Sequence, residues 1–510
     1  MGHPDVTRRS ACLWLLTLGS AGCGATAASD GAAAPAPTSA PAKAIDRFVH
    51  RVIARLDDVP GIAVAVVRAD SVVYLGGAGW ADREARRPVV AGTPFYLASS
   101  TKSFTGLAAS LLADRGRVDL DAPISRYLPE LRLPPPRSAD SVTLRQLLTH
   151  TMGLADDAVV IRTAYTGEHT PGQLIALLAG SEVIDRSFHY DNLGYVMAGL
   201  VLERVTGAPW QRVLDSTIFA PLRMRHTSAY MSRAEPWRVA VPYAPGPDGA
   251  PHRLERTKRD ATMHPAGGVV SSAADLARWL EANLADGRLA GGQVLSARAV
   301  SEAHRLQVRL DDEQAFGPFR RFGYGLGWYW GTYEGDTLLH HFGGYPGARA
   351  HVSFMPRHGI GVAVLVNVSG AASDVADLVA RYAYDAVLDK PGIEAHYDSL
   401  LSAQAAELAE ARARLLERRA AIAARPSTLT LPPGAYAGEY RSTALGRLHV
   451  KIEGGRLRLA LGPLDALADN YTRPDAVRVE FTAGSGEVVQ FYPSTDRADS
   501  LSYAGYVFRR

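Results

Sequence analysis

Between residues 104 and 112 apolar side chains recur at helical spacing: Phe104, Leu107, Ala108, Leu111 and Leu112 stand at i, i+3, i+4, i+7 and i+8, and Asp114-Arg115-Gly116 closes the run. That pattern predicts an amphipathic helix stopped by glycine. A second stripe follows Asn192 through Leu193, Val196, Met197, Leu200 and Val201, and Trp279 and Leu280 belong to a third. Elsewhere the helical period gives way to short apolar runs. Residues 62–67 and 72–74 flank a short turn and read as paired strands, and further strands are expected at 338–342, 350–354 and 360–366. Strands at both ends with helices concentrated between 100 and 285 predict an α+β fold, in which an antiparallel sheet closed by its terminal segments carries a helical subdomain at its side. A cleft is expected at their junction.

The pattern changes twice more toward the C-terminus. From Gly392 to about Arg425 the chain is rich in Ala, Leu, Glu and Arg with no further glycine or proline, which predicts a long helical connector. Beyond it, alternating runs such as 448–452 and 456–461, separated by glycine-containing turns, predict a small all-β unit. The expected organisation is a leader over 1–28, a flexible linker over 29–43, a main domain over 44–390, the connector over 391–427 and the β unit over 428–510.

The leader carries Arg8-Arg9, an apolar run from Ala11 to about Leu18 and then small residues. This reads as an export signal peptide, and the run is too short for an ordinary transmembrane helix. Cys23 follows Ala21-Gly22 as in a bacterial lipoprotein cleavage box, whereas Ala25-Thr26-Ala27 offers an A-x-A site that would release a soluble protein. Lipid attachment at Cys23 and release are both kept open, and either places the protein in the periplasm or cell envelope. The two cysteines, Cys12 and Cys23, leave the mature chain no pair for an internal disulfide. A net charge of +3 over 510 residues, with scattered basic residues, gives no footprint for nucleic acid.

The candidate chemistry starts at Ser99-Ser100-Thr101-Lys102, at the head of the first predicted helix. Three residues are just under one turn, so the Ser99 hydroxyl and the Lys102 amine project from one face, and the helix N-terminus favours negative charge on a reacting oxygen. Alone, the same tetrapeptide also suits a helix cap beside a solvated lysine. Tyr190-Asp191-Asn192 and His341-Phe342-Gly343-Gly344 follow in order.

With these three motifs, and with 60–66, 147–154 and 266–272 as flanks, the region from about 44 to 390 resembles the beta-lactamase-related serine hydrolases: class C beta-lactamases, penicillin-binding DD-peptidases and the esterases that share their fold. The β unit, opening on Tyr436-Ala437-Gly438-Glu439-Tyr440, resembles the lipocalin-like β-barrel often attached to them. The resemblance implies an acyl-enzyme on Ser99 formed from amide, ester or lactam substrates, among them D-amino-acid peptides derived from cell walls, small esters and beta-lactams. Lys102 or Tyr190 is the base; the sequence leaves both open. Asn192 would hold Lys102 and contact the acyl side chain, and its place before a helical stripe also suits an N-cap. Asp191 is expected to be a solvated loop residue.

His341 stands where lysine is usual in the third motif, as in related esterases and peptidases. It is expected to relay a proton or bind an anionic group, with a titration near neutral pH. Gly343 lets the strand approach substrate, and the N–H groups of Ser99 and Gly344 would form the oxyanion hole. His340 and His150 read as structural, and Glu281-Ala282-Asn283-Leu284 only superficially resembles the deacylating element of class A beta-lactamases. No cofactor and no metal are implied, since no H-E-x-x-H or cysteine cluster occurs. The other class of function is a non-catalytic module that binds penicillins or cell-wall peptides. No oligomeric state follows from the sequence.

Overall fold

Residues 62 to 67 are apolar without alternation, and the computed structural model shows why: both faces of this strand are covered. The structure describes residues 37–185, 187–255 and 258–510, so the expected signal peptide and Cys23 lie outside the described residues. Strand β1 (Gly61–Arg68) pairs antiparallel with β2 (Ser71–Asp82), which pairs in turn with β3 (Arg87–Pro88). The rest of the sheet comes from β4 (Val308–Phe316), β5 (Phe319–Tyr324), β6 (Tyr329–Tyr333), β7 (Asp336–His340), β8 (Gly343–Tyr345), β9 (Ala348–Met355) and β10 (Ile360–Val366). Among the described residues this is a ten-stranded sheet ordered β4-β5-β6-β7-β9-β10-β1-β2-β3, with β8 paired to β9 off the main path. The C-terminal strand β10 lies beside β1, with Ile62 opposite Val366, so the chain's distant segments close the sheet as the hydropathy pattern predicts.

Alternation along β1 divides its side chains between two cores. Ile62, Val64 and Val66 pack with helix α1 (Ala40–Arg55), through Ile45, Phe48, Val49 and Val52, and with the late helix Val375–Val387. Ala63, Ala65 and Val67 face the other core, which holds α2 (Thr101–Asp114), α3 (Leu193–Thr206) and α4 (Ala273–Leu284). Helix α2 runs through this second core and is buried on every side from Thr101 to Leu112. The polar face expected to meet solvent instead docks: Thr105 Oγ1 donates to Pro265 O at 2.7 Å and Ser110 Oγ to Ala299 O at 2.8 Å. Buried hydroxyls paired in this way cost little, so a mixed face is tolerated inside.

The segment predicted as one strand over 338–342 is broken. β7 ends at His340, His341 N still donates to Val352 O of β9 at 2.9 Å, and β8 begins at Gly343. His341 Nδ1 lies 3.0 Å from Phe342 O, which occupies a carbonyl that a continuous strand would give to its neighbour.

The connector expected over 391–427 is helix α5 (Ile393–Ala423), 31 residues long. At 1.5 Å per residue it is about 46 Å long. It buries few side chains and is tied to the main body by polar contacts, including Arg55–Asp398 at 2.9 Å and Arg412 Nε to Asp248 O at 3.0 Å. Among the described residues no helix is long and apolar enough to cross a membrane.

The C-terminal β unit is a nine-stranded antiparallel sheet with its own apolar core, including Leu448, Val450, Leu457, Leu459, Phe491 and Leu501. Its edge strands are Leu464–Leu467 and Asp469–Asn470, separated in sequence by Ala468 alone. The two edges of the sheet therefore meet at one residue, and the sheet is a nearly closed barrel. This barrel sits on the segment 157–180 of the main body: Ala158 is buried in the barrel core, Ile161, Tyr165 and Leu177 pack against it, and Tyr506 Oη accepts from Ala158 N at 3.0 Å.

Candidate active site

Ser99 lies in a single helical turn, Ala98–Ser100, that runs directly into α2. Ala98 before it adopts φ +47°, a left-handed conformation that a residue with a Cβ takes only when its surroundings hold it there. Those surroundings are specific. Leu97 N donates to Val269 O at 2.9 Å, Val269 N donates to Thr101 Oγ1 at 3.0 Å, and Ser100 Oγ donates to His341 O at 2.7 Å. The turn is thus pinned to the strand Val270–Ser272 on one side and to the β7–β8 break on the other.

Lys102, with 0% exposure, reaches back under this turn. Its Nζ lies 2.7 Å from Asn192 Oδ1, 2.9 Å from Ala266 O and 3.3 Å from Ser99 Oγ. Two acceptors that cannot give up a proton take two N–H bonds, and the third direction faces the serine. The amine also stands over the rings of Tyr190, at 4.8 Å, and Tyr195, at 5.5 Å. Tyr190 is 36% exposed, so its ring has one edge on solvent and one face over Lys102.

Asn192 occupies the N-cap position of α3 without capping it; its side-chain oxygen is committed to Lys102. The neighbouring Asp191 caps instead, its carboxylate accepting from Leu193 N. Asp191 is therefore a partly buried capping residue and not the solvated one expected. Burial raises its carboxyl above the usual range, against the opposing pull of the Leu193 N–H.

His341 is buried, and both ring nitrogens are engaged: Nδ1 with Phe342 O at 3.0 Å and Nε2 with Tyr324 Oη at 3.1 Å. A carbonyl can only accept, so the Nδ1–H donates to it and Tyr324 donates to Nε2. Burial first, and then the nearby charge of Lys102, push its pKa well below the ordinary histidine value. The ring is neutral and offers no free nitrogen to an anion, unlike the expectation of a residue titrating near neutrality. His340 is also buried, stacked on Phe342 at 4.4 Å.

Gly343 and Gly344 differ sharply. A Cβ on Gly343 would lie 1.9 Å from Leu97 O and 3.0 Å from Ser99 N, whereas a Cβ on Gly344 would have nothing within 4 Å. The first glycine lets β8 press against the backbone of the serine turn, and the second is exposed on the open side. A cavity of about 390 Å³ begins at Gly344 and Tyr345 and is lined on its far side by Thr482, Ala483, Gly484 and Ser485 of the barrel.

Ser99, Lys102, Tyr190, Asn192, His341, Gly343 and Gly344 are thus brought together from three separate stretches. Glu281 is not among them; it lies on α4, which packs on β1 and β10. Among the described residues no group of three or more His, Cys, Asp or Glu is placed to hold a metal ion. Sequence reasoning passed over Lys258, a buried amine 3.8 Å from the centre of the Tyr345 ring whose Nζ donates to Ala164 O at 2.6 Å. Burial drives its pKa well below the usual lysine value. It also passed over Tyr324, which only the folded chain brings to His341.

Comparison with known proteins bears on the family and the fold. The profile of the family described as Beta-lactamase matches residues 49–387. Protein flp of Staphylococcus aureus (strain COL) is 23% identical over 315 residues, 61% of this chain and 60% of that protein. The chain thus spans about 60% of the length of these curated relatives. Esterase EstB of Burkholderia gladioli is 37% identical over 212 residues, 36% of this chain and 50% of EstB. The structure of D-amino acid amidase from Ochrobactrum anthropi SV3, complexed with L-phenylalanine amide, superposes with a TM-score of 0.57 at 26% identity, over 69% of this chain and 99% of the amidase.

Proposed function

The chain belongs to the Beta-lactamase family, and from that premise we propose that it is an exported serine hydrolase that forms an acyl-enzyme on Ser99 with small esters and with amides of D-amino acids. The observation that carries the reading is the surrounding of Lys102: Asn192 Oδ1 at 2.7 Å and Ala266 O at 2.9 Å fix two hydrogens, and Ser99 Oγ at 3.3 Å faces the third position. In its neutral form Lys102 therefore directs its lone pair at the serine hydroxyl. That is the geometry of a general base.

The reaction we propose uses these residues in turn. Ser99 Oγ attacks the carbonyl carbon while its proton passes to Lys102 Nζ. The carbonyl oxygen, now carrying the negative charge, is held by the N–H of Ser99 at the head of α2 and the N–H of Gly344 on β8. As the tetrahedral intermediate collapses, the carbon–nitrogen or carbon–oxygen bond breaks and the leaving group takes a proton relayed from Lys102 through the phenol of Tyr190. Water then attacks the ester on Ser99 and the acid departs, returning the proton to the serine. Neutral His341 holds Tyr324 and the β7–β8 break in place and does not change charge.

The substrate class draws on the names of the similar proteins: EstB is named an esterase, and the superposed structure is that of a D-amino acid amidase. Export draws on the leader sequence, with Cys23 as the site of a lipid if the leader is cleaved there. The test is a panel of p-nitrophenyl butyrate, D- and L-phenylalanine amide and nitrocefin, run with the full chain and with Ser99→Ala. Turnover of the ester and of the D-amide, lost in Ser99→Ala, is the expected result. Stoichiometric binding of a penicillin without turnover of any substrate would instead make the protein a binding module.

A further inference from the structure

The turn Thr149-His150-Thr151 takes no part in the steps above, yet one of its residues grips both sides of Tyr190. His150 adopts φ +60°. In that conformation its carbonyl oxygen accepts from His189 N at 2.9 Å, and its ring Nδ1 accepts from Asp191 N at 3.2 Å. Its ring also packs against the Tyr190 ring, with centroids 4.6 Å apart. Backbone on either side of Tyr190 and one face of its ring are thus held by a single residue.

The choice of histidine is informative. An Nδ1 that accepts places the proton on Nε2, and that nitrogen is buried with no hydrogen-bond partner. It is surrounded by the rings of Phe188, Tyr195 and Tyr324, at 5.7, 5.3 and 4.8 Å. A residue needed only to fill this space would be phenylalanine or leucine, which strand no buried N–H. What histidine adds is the acceptor used on Asp191 N.

The grip is rigid because the turn is docked on α3. A Cβ on Gly194 would lie 2.3 Å from Leu147 O, and Tyr195 Oη donates to Leu148 O at 2.8 Å. Tyr324 touches His150 and donates to His341, so the holder of Tyr190 and the support behind Ser100 share one phenol.

We propose that His150 is a positioning residue for Tyr190: its ring nitrogen and carbonyl fix the backbone at 189 and 191 so that the phenol meets the leaving group. This rests on the role given to Tyr190 above. Burial and the charge of Lys102 hold the His150 ring neutral, which preserves its acceptor. The titratable groups that face it are Lys102, His189, His341, Tyr190, Tyr195 and Tyr324.

The test uses the full chain and p-nitrophenyl butyrate, with fluorophosphonate labelling of Ser99 to count intact sites. His150→Phe keeps a ring and removes the acceptor; it is expected to lower kcat roughly 10- to 100-fold with KM within about twofold. His150→Asn, whose side-chain oxygen falls near the place of Nδ1, should recover most of that loss, and His150→Gln, with its oxygen one bond further out, should not. The Asn–Gln contrast carries the test if the Phe variant fails to fold. In a Tyr190→Phe background the His150 substitutions should change kcat by less than about twofold. Equal losses in both backgrounds, or no difference between Asn and Gln, would overturn the positioning role while leaving Tyr190 in the mechanism. An unimpaired Tyr190→Phe would remove Tyr190 from the mechanism, and the proposal with it.

Discussion

Lys102 Nζ stands 3.3 Å from Ser99 Oγ while Asn192 Oδ1, at 2.7 Å, holds it from a helix ninety residues away in sequence. The amine is thus aimed by a side chain that a helix-capping role would have occupied elsewhere. Capping passed to Asp191, and this freed the Asn192 amide for the lysine.

Asn192→Ala should therefore act on catalysis more than on folding. It leaves one Lys102 N–H without its acceptor, at a cost of about 1–3 kcal/mol, and lets the amine swing away from the serine. Expected are a kcat lower by roughly 10- to 100-fold and a modest fall in Tm, read by steady-state kinetics and calorimetry. Unchanged kcat would remove the amide from the site.

The two glycines of β8 should respond in opposite ways. Gly343→Ala drives a Cβ to 1.9 Å from Leu97 O and must displace the serine turn, so it should cost about 1–3 kcal/mol and most of the activity. Gly344→Ala meets open space and should fold with an unchanged Tm. Thermal melts of the two variants side by side decide this; equal Tm values would contradict the close approach.

Acid should destabilise the fold from an unusually high pH. Burial holds His150, His264, His304, His340 and His341 below the ordinary histidine value, His304 down to about 3. Unfolding frees each ring to bind a proton near pH 6.5, so below that pH the unfolded chain binds more protons and stability falls as pH falls. Above it neither state is protonated and the contribution is constant. Each ring adds up to about 1.4 kcal/mol per pH unit. Urea unfolding between pH 8 and 5 should show this slope, and His340→Phe should make it shallower; an identical slope would show that His340 does not contribute.

Arg162 links the barrel to the cleft. It is buried, bonds Ala444 O of the barrel and Glu168 O of its own segment, and begins the turn Arg162–Thr166 that carries Tyr165. Tyr165 stacks on Tyr345, next to Gly344, at 5.6 Å. Arg162→Ala is expected to lose about 2 kcal/mol of stability and to raise KM more for bulky than for small acyl esters. A uniform change across acyl size would place Arg162 in stability alone.

Much of this was legible in the chain because it is local. The serine and lysine of the first motif share a helix face by spacing alone, and the connector is helical because its composition allows nothing else. The alternation at 448–461 likewise declared strands. What stayed hidden depends on contacts across the fold. The polar face of α2 looked solvated because nothing in its own sequence reveals Pro265 O or Ala299 O as acceptors. Asp191 and Asn192 are adjacent residues of similar capping propensity, and only the arrival of Lys102 decides which of them caps. His341 was expected to titrate near neutrality because its burial and its bond to Tyr324 are set by strands distant in sequence.

The seating of the barrel on 157–180 has one more consequence. Ala158, Ile161, Tyr165 and Leu177 give their apolar surface to a partner that the ribosome makes about 250 residues after them. A truncated chain ending before residue 428 would expose that patch to water, so the catalytic portion is not a portable module, and its wall beside the cleft matures only once the barrel has been made.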